Sequence, residues 1–209
     1  MSIAAQQRQA ASPKYNPSYG WASVHQPQTL ATVEEYIALA EQNLPYLQDE
    51  INLFLAGLPF ETDLIGPCIK GAKRANQKLF DNNSTAKGDP QNVRDYLRLT
   101  ISPRTVEELQ QTIEALEKHP MTVGWKNRFY APEPSTGMRD YKAIWCVGCP
   151  NDDMAILAEI KVDFAGMQPA YKFTETLRSS ERKLAEFKEN AMAVCISKND
   201  KPEARKRIN

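Results

Sequence analysis

The chain has 209 residues, 42% of them apolar and 25% charged, which suits one globular domain or one domain with a tail. Its 26 Lys and Arg balance its 26 Asp and Glu, which argues against a generic nucleic-acid coat or a polybasic membrane binder and leaves room for a local basic pocket. No run approaches the ~18 apolar residues of a membrane-spanning helix. The opening MSIAAQQRQAASPKYNPSYG lacks the apolar stretch of a secretory signal, so a cytoplasmic site of action is expected, in the producer or in a target cell.

Residues 1–28 are rich in Gln, Ser, Pro and Tyr without a clear period and read as a flexible N-terminal arm. A single domain is expected over 29–195, with a polar basic tail over 196–209. Thr32-Val-Glu-Glu35 is a capping-box pattern, and Val33, Tyr36, Ile37, Leu39, Ala40 and Leu44 follow at helical spacing. Pro45 predicts a kink or break, with a second helical piece over 46–56 ending at Gly57. A third helix is expected over about 64–81, carrying Lys70, Lys73, Arg74 and Lys78. Turn signals come next at Asn82-Asn83-Ser84 and Gly88-Asp89-Pro90. Residues 96–101 alternate as a strand, and a second capping box, Thr105-Val-Glu-Glu108, opens a helix to about 118. Strands are expected over 122–130, 139–147 and 155–164, with a loop over 131–137 and a final helix from beyond Pro169 to about 193. This order makes a mixed β-sheet flanked by helices, an α+β or α/β domain.

The cysteines are Cys68, Cys146, Cys149 and Cys195. The one CxxC has no second pair, and His25 and His119 lie far from it in sequence, so buried or turn cysteines in a reducing cytosol are favoured over zinc.

Charged residues inside strands carry more information. Over 155–164, alternation puts Ile156, Ala158, Ile160, Val162 and Phe164 on one face and Leu157, Glu159, Lys161 and Asp163 on the other, which is either solvated or a site. Asp95 precedes a strand; alone it reads as a turn cap. Together with Glu159 on a neighbouring strand it could hold Mg²⁺, which takes one or two carboxylates plus waters and phosphate oxygens. Lys126 and Arg128 alternate onto one strand face, a loop ends at Gly137, and Arg139 starts the next strand. The cations at 70, 73, 74 and 78 have helical i,i+3 and i,i+4 spacing, which taken alone suits a solvated face. Lys172, Arg178 and Arg182 on the last helix could face the same pocket, while Glu175, Glu181 and Glu186 fit an exposed charged helix. Cations around two strand carboxylates suit phosphoryl transfer, where charge is positioned and a carboxylate takes the nucleophile's proton. P-loop, dinucleotide-binding and protein-kinase signatures are absent.

Four stretches then come in order: Asp95-Tyr-Leu-Arg98-Leu-Thr-Ile; Val-Gly-Trp-Lys126-Asn-Arg128-Phe-Tyr-Ala-Pro; Ser-Thr-Gly137-Met138-Arg139-Asp-Tyr-Lys; and Ala-Glu159-Ile-Lys161-Val. Together they resemble the synthetase domain of the RelA/SpoT homologues, most of all the small alarmone synthetases and toxin-type members, over about 65–185. The resemblance implies a nucleotidyltransferase-like sheet and transfer of pyrophosphate from ATP to the 3′-hydroxyl of a purine nucleotide, with Mg²⁺ as cofactor. It implies Asp95 and Glu159 as metal ligands, Glu159 also as the group that activates the hydroxyl, and Lys126 and Arg128 as a phosphate clamp. Lys70, Lys73, Arg74 and Lys78 fall where the family binds ATP, and Arg98, Arg139 and Lys161 join the phosphate-binding set. Met138 stands where the family has a base-stacking Tyr, and the family's following His is absent, with Trp145 near its place. The acceptor is then an adenosine or guanosine nucleotide; the 3′ end of tRNA, or a non-enzymatic nucleotide-binding module, are the other readings. The resemblance also allows an oligomer and, for a toxin, an immunity partner.

Overall fold

The computed structural model describes residues 18–21, 23–80, 86–132, 137–148 and 155–170, and beyond them 172, 173, 176, 179, 180, 183, 184 and 187. The chain divides into two compact units, 1–166 and 167–209. In the first, β1 (Ser18–Tyr19) is followed by α1 (Val33–Ala56), β2 (Asp63–Ile69), α2 (Ala72–Phe80), β3 (Leu97–Ser102), α3 (Val106–Lys118), β4 (Thr122–Asn127), β5 (Tyr141–Val147) and β6 (Ile156–Val162). The strands form one six-stranded sheet in the order β1-β4-β5-β6-β3-β2. β3 and β6 are parallel and the other pairs antiparallel, giving a mixed sheet of the α+β class.

One face of this sheet is the core. Leu97, Leu99 and Ile101, Tyr141, Ala143, Trp145 and Val147, and Ile156, Ala158, Ile160 and Val162 are buried there against Val33, Tyr36, Leu39, Ala40, Leu47 and Ile51 of α1. Both capping boxes form, at Thr32 with Glu35 and at Thr105 with Glu108. Pro45 does not divide α1, which runs unbroken from Val33 to Ala56. A proline inside a helix costs about 3 kcal/mol. Tyr36 and Leu39 before it and Leu47 and Ile51 after it are buried in the same core, and each such side chain contributes roughly 1.5–3 kcal/mol. Packing outweighs the lost backbone bond.

Residues 64–81 are not one helix. β2 occupies Asp63–Ile69, α2 begins only at Ala72, and Lys70 lies between them. β2 is an edge strand whose register slips between Ile65 and Cys68. At this irregularity Gly66 has φ 95°, and a Cβ there would lie 3.2 Å from the Arg98 carbonyl oxygen. An edge bulge also tolerates Pro67, which has no N–H to give to a ladder.

Ser18, Tyr19, Gly20 and Gln26, read from sequence as part of an N-terminal arm, are bonded to the sheet. Ser18 pairs with Lys126, and Tyr19 stacks on Trp125 with ring centroids 4.5 Å apart. Gly20 follows at φ 61°, where a Cβ would come within 2.7 Å of the Val123 carbonyl oxygen. Residues 1–17 and the tail at 196–209 lie outside the described residues. In the second unit, the described residues between 168 and 187 are helical, and Lys172 is exposed; Arg178 and Arg182 lie outside the described set.

Candidate active site

Strand register builds the polar face. Lys126, Lys142, Lys161 and Thr100 form one row across β4, β5, β6 and β3. The next row runs Ile144, Glu159, Arg98. Residues opposite one another in a ladder share a face, so Glu159 sits beside a line of three lysines. Lys142 Nζ donates to Glu159 Oε1 at 2.7 Å, and Lys161 Nζ to Asp163 Oδ2 at 2.7 Å. Burial works against the charge on Lys142, but Glu159, Asp140 and Asp95 more than offset it and hold its pKa above the usual lysine value. The Asp163 carboxyl is pushed up by burial, against the pull of Lys161.

Asp95 lies just before β3, buried in a lysine clamp: Lys70 Nζ donates to Oδ2 at 2.7 Å and Lys78 Nζ to Oδ1 at 2.6 Å. Burial alone would raise its pKa, yet Lys78 and Lys70 together hold it well below the carboxylate range. Lys70 moves down instead: its burial exceeds the help it gets from a shared anion, and Lys78 and Arg98 repel it. The basic residues expected on one helix therefore part company. Lys70 and Lys78 reach Asp95, whereas Lys73 and Arg74 are exposed, with Arg74 Nη1 3.2 Å from Gln77 Oε1.

Arg128 follows β4. Its backbone N–H donates to the Asp140 carbonyl at 2.8 Å, and its Nε lies 3.4 Å from Asp140 Oδ1, a carboxylate with no exposure at all. Its Nη1 also lies 3.9 Å from the sulfur of Met138, which is buried. Arg139 is exposed and donates to the Phe129 carbonyl at 3.0 Å, bracing the turn after β4. Lys126 is half-buried in its row, and Arg98 is exposed beside Glu159.

Asp140 and Lys142 carry no distinctive signal of their own in the sequence. They alternate with Tyr141 and Ala143 of the core, so a polar face on β5 was legible, but the ion pairs emerge only from register. Among the described residues no group of three or more His, Cys, Asp and Glu is gathered for a metal. Asp95 and Glu159 both favour the charge on Lys142, while Lys70 and Lys78 occupy both oxygens of Asp95 and Lys142 one oxygen of Glu159. Two carboxylates of this kind fit Mg²⁺, whose remaining positions take water and phosphate oxygens. Among the described residues no helix is long and apolar enough to cross a membrane. Cys68 is exposed and Cys146 half-buried, both as free thiols.

No protein-family model and no curated protein matches the sequence; the likeness lies in the fold. A GTP pyrophosphokinase family protein from Streptococcus pneumoniae superposes with a TM-score of 0.57 at 16% identity, covering 83% of this chain and 92% of that one. The small alarmone synthetase 1 from Bacillus subtilis, bound to its product pppGpp, gives 0.54 at 14% identity over 84% of this chain and 97% of its own. The small alarmone synthetase 2 from the same organism gives 0.55 at 14% identity over 83% and 97%. The chain has the fold of RelA/SpoT-type small alarmone synthetases.

Proposed function

We propose that this chain is a pyrophosphokinase that moves the β,γ-pyrophosphate of ATP onto the 3′-hydroxyl of a purine nucleotide. The observation that carries the reading is the placement of Asp95 just before one strand and Glu159 on its parallel neighbour, with Lys70, Lys78 and Lys142 paired to them, Arg98 opposite Glu159 in the ladder, and Lys126 and Lys161 opposite Lys142. A new bond forms between the acceptor O3′ and the β-phosphorus of ATP, the α–β bridging P–O bond breaks, and AMP departs with that bridging oxygen. Glu159 takes the proton from O3′, with Lys142 fixing the carboxylate through Oε1. Lys126, Arg128 and Arg98 neutralise phosphate oxygens, the task to which most of the rate enhancement in such transfers falls. Asp95 and Glu159 would hold Mg²⁺, which when bound supplies charge stabilisation to the phosphate oxygens. Met138, expected from sequence at the base-stacking position, is buried beside the Arg128 guanidinium.

The test is chromatographic. Purified protein with Mg²⁺ and ATP is mixed in turn with AMP, ADP, ATP, GDP, GTP and tRNA. AMP together with a more highly charged nucleotide is expected, and Glu159→Gln abolishes both. AMP from no mixture, or undiminished product from the variant, overturns the reading; transfer to tRNA alone would move the acceptor to its 3′ end.

A further inference from the structure

Gln26 is 2% exposed, and both ends of its side-chain amide are used. Nε2 donates to the Val93 carbonyl at 2.7 Å, and Oε1 accepts the backbone N–H of Leu157 at 2.9 Å. One partner is an acceptor and the other a donor, so the amide orientation is set by its neighbours. Val93 precedes Asp95 by two residues, and Leu157 precedes Glu159 by two. The β3–β6 ladder begins only at Leu97↔Ala158, so the segment bearing Asp95 lies ahead of it. The same N-terminal stretch grips that segment at further points. Arg94 Nε donates to the Val24 carbonyl at 2.6 Å, with its guanidinium 5.7 Å from the Trp21 ring centroid. The His25 ring meets Asn92 Oδ1 at 2.6 Å, the Gln26 backbone N–H donates to the Gln91 carbonyl at 3.1 Å, and Gln91 Nε2 donates to the Gln26 carbonyl at 3.1 Å.

We infer that Gln26 is a positioning residue that braces the Asp95 segment against the strand carrying Glu159, and so sets the spacing of the two carboxylates. The inference rests on the pyrophosphokinase reading for its catalytic consequence. A carboxylate that takes the O3′ proton and one that would help hold Mg²⁺ tolerate little misplacement; a shift of about 1 Å can cost about a hundredfold in rate. Gln26 is buried and bonds to none of the cations assigned to ATP, so its effect falls on turnover.

The experiment uses the full chain and Gln26→Met, which keeps the volume of the side chain and loses both hydrogen bonds. Turnover, KM for ATP, thermal unfolding and backbone hydrogen exchange are read together. A fall in kcat of about tenfold or more, with KM for ATP within about twofold and Leu157 N–H exchange accelerated, supports the brace. Unchanged kcat in an active background overturns it, as does a loss confined to KM. Should Gln26→Met fail to fold, Gln26→Asn takes its place; its shorter amide reaches only one of the two partners, and the same readouts apply. If the wild-type protein makes no product with any acceptor, the reading of function fails, and exchange at Leu157 then decides the brace: faster in the variant supports it, unchanged overturns it.

Discussion

Lys142 meets Glu159 through a single short ion pair, with side-chain exposures of 17% and 13%. A hydrogen bond to a charged group contributes about 1.5–3 kcal/mol, so Lys142→Met is expected to lower kcat by roughly ten- to a hundredfold. Lys142→Arg, keeping the charge and a donor, recovers part of it; equal losses in both variants would contradict this role. Asp95 presents a different balance. Asp95→Asn leaves Lys70 buried without its counter-charge, a change that typically costs about 3 kcal/mol, so stability falls along with activity. The depressed Asp95 pKa fixes the sign with pH. Its contribution is complete above the unfolded value of about 3.9, and is lost as pH falls below that value toward the folded one. The gap between wild type and Asp95→Asn in urea unfolding therefore narrows below about pH 4, and a constant gap would count against the clamp. At this scale the sequence shows charged residues where a strand should be apolar, which is how Glu159 and Lys161 are found. It hides pairings made by register, such as Lys142 with Glu159, and contacts such as that of Gln26 with Leu157, 131 residues away.

Elements became legible in proportion to the regularity of their burial. β3, β5 and β6 are legible because one face is core and polar residues interrupt the other, and α3 carries both its capping box and its apolar spacing. β2 was hidden by Gly66 and Pro67, which break alternation at the bulge of an edge strand; β1 has only two residues, too few for any period. α1 was underestimated for the opposite reason: local propensity at Pro45 argued for an end that tertiary packing overrides. Pro45 is exposed, so replacing it removes a local cost without opening a cavity. Pro45→Ala is expected to raise stability by about 1–3 kcal/mol, the restored helical bond exceeding the gain in unfolded-chain entropy. Guanidinium unfolding measures it, and a destabilised variant would mean that the proline shapes α1 to the curve of the sheet.

The whole chain is electrically neutral, with 26 basic and 26 acidic residues, yet its charge is not evenly spread. Lys70 and Lys78 clamp Asp95, and Arg98, Lys126, Lys142 and Lys161 lie with Glu159 on neighbouring strands, with Asp163 paired to Lys161. Net charge then says little about ligand affinity, because a polyanion at this face feels the local excess and is screened from the remote acids. Screening is the handle that separates the two views. The Debye length falls from about 10 Å at 0.1 M salt to about 3 Å at 1 M, so attraction supplied by cations beyond direct contact fades over this range, while contact pairs and base packing persist. ATP binding, followed by calorimetry without acceptor, is expected to weaken by about tenfold between these salt concentrations, and adenosine binding to change less than about twofold because it carries no charge for the field to act on. Parallel salt dependence for both ligands would place the attraction in base packing alone. Salt-independent ATP binding would mean that the lysines are already satisfied by Asp95, Glu159 and Asp163 and give no net field to a phosphate chain.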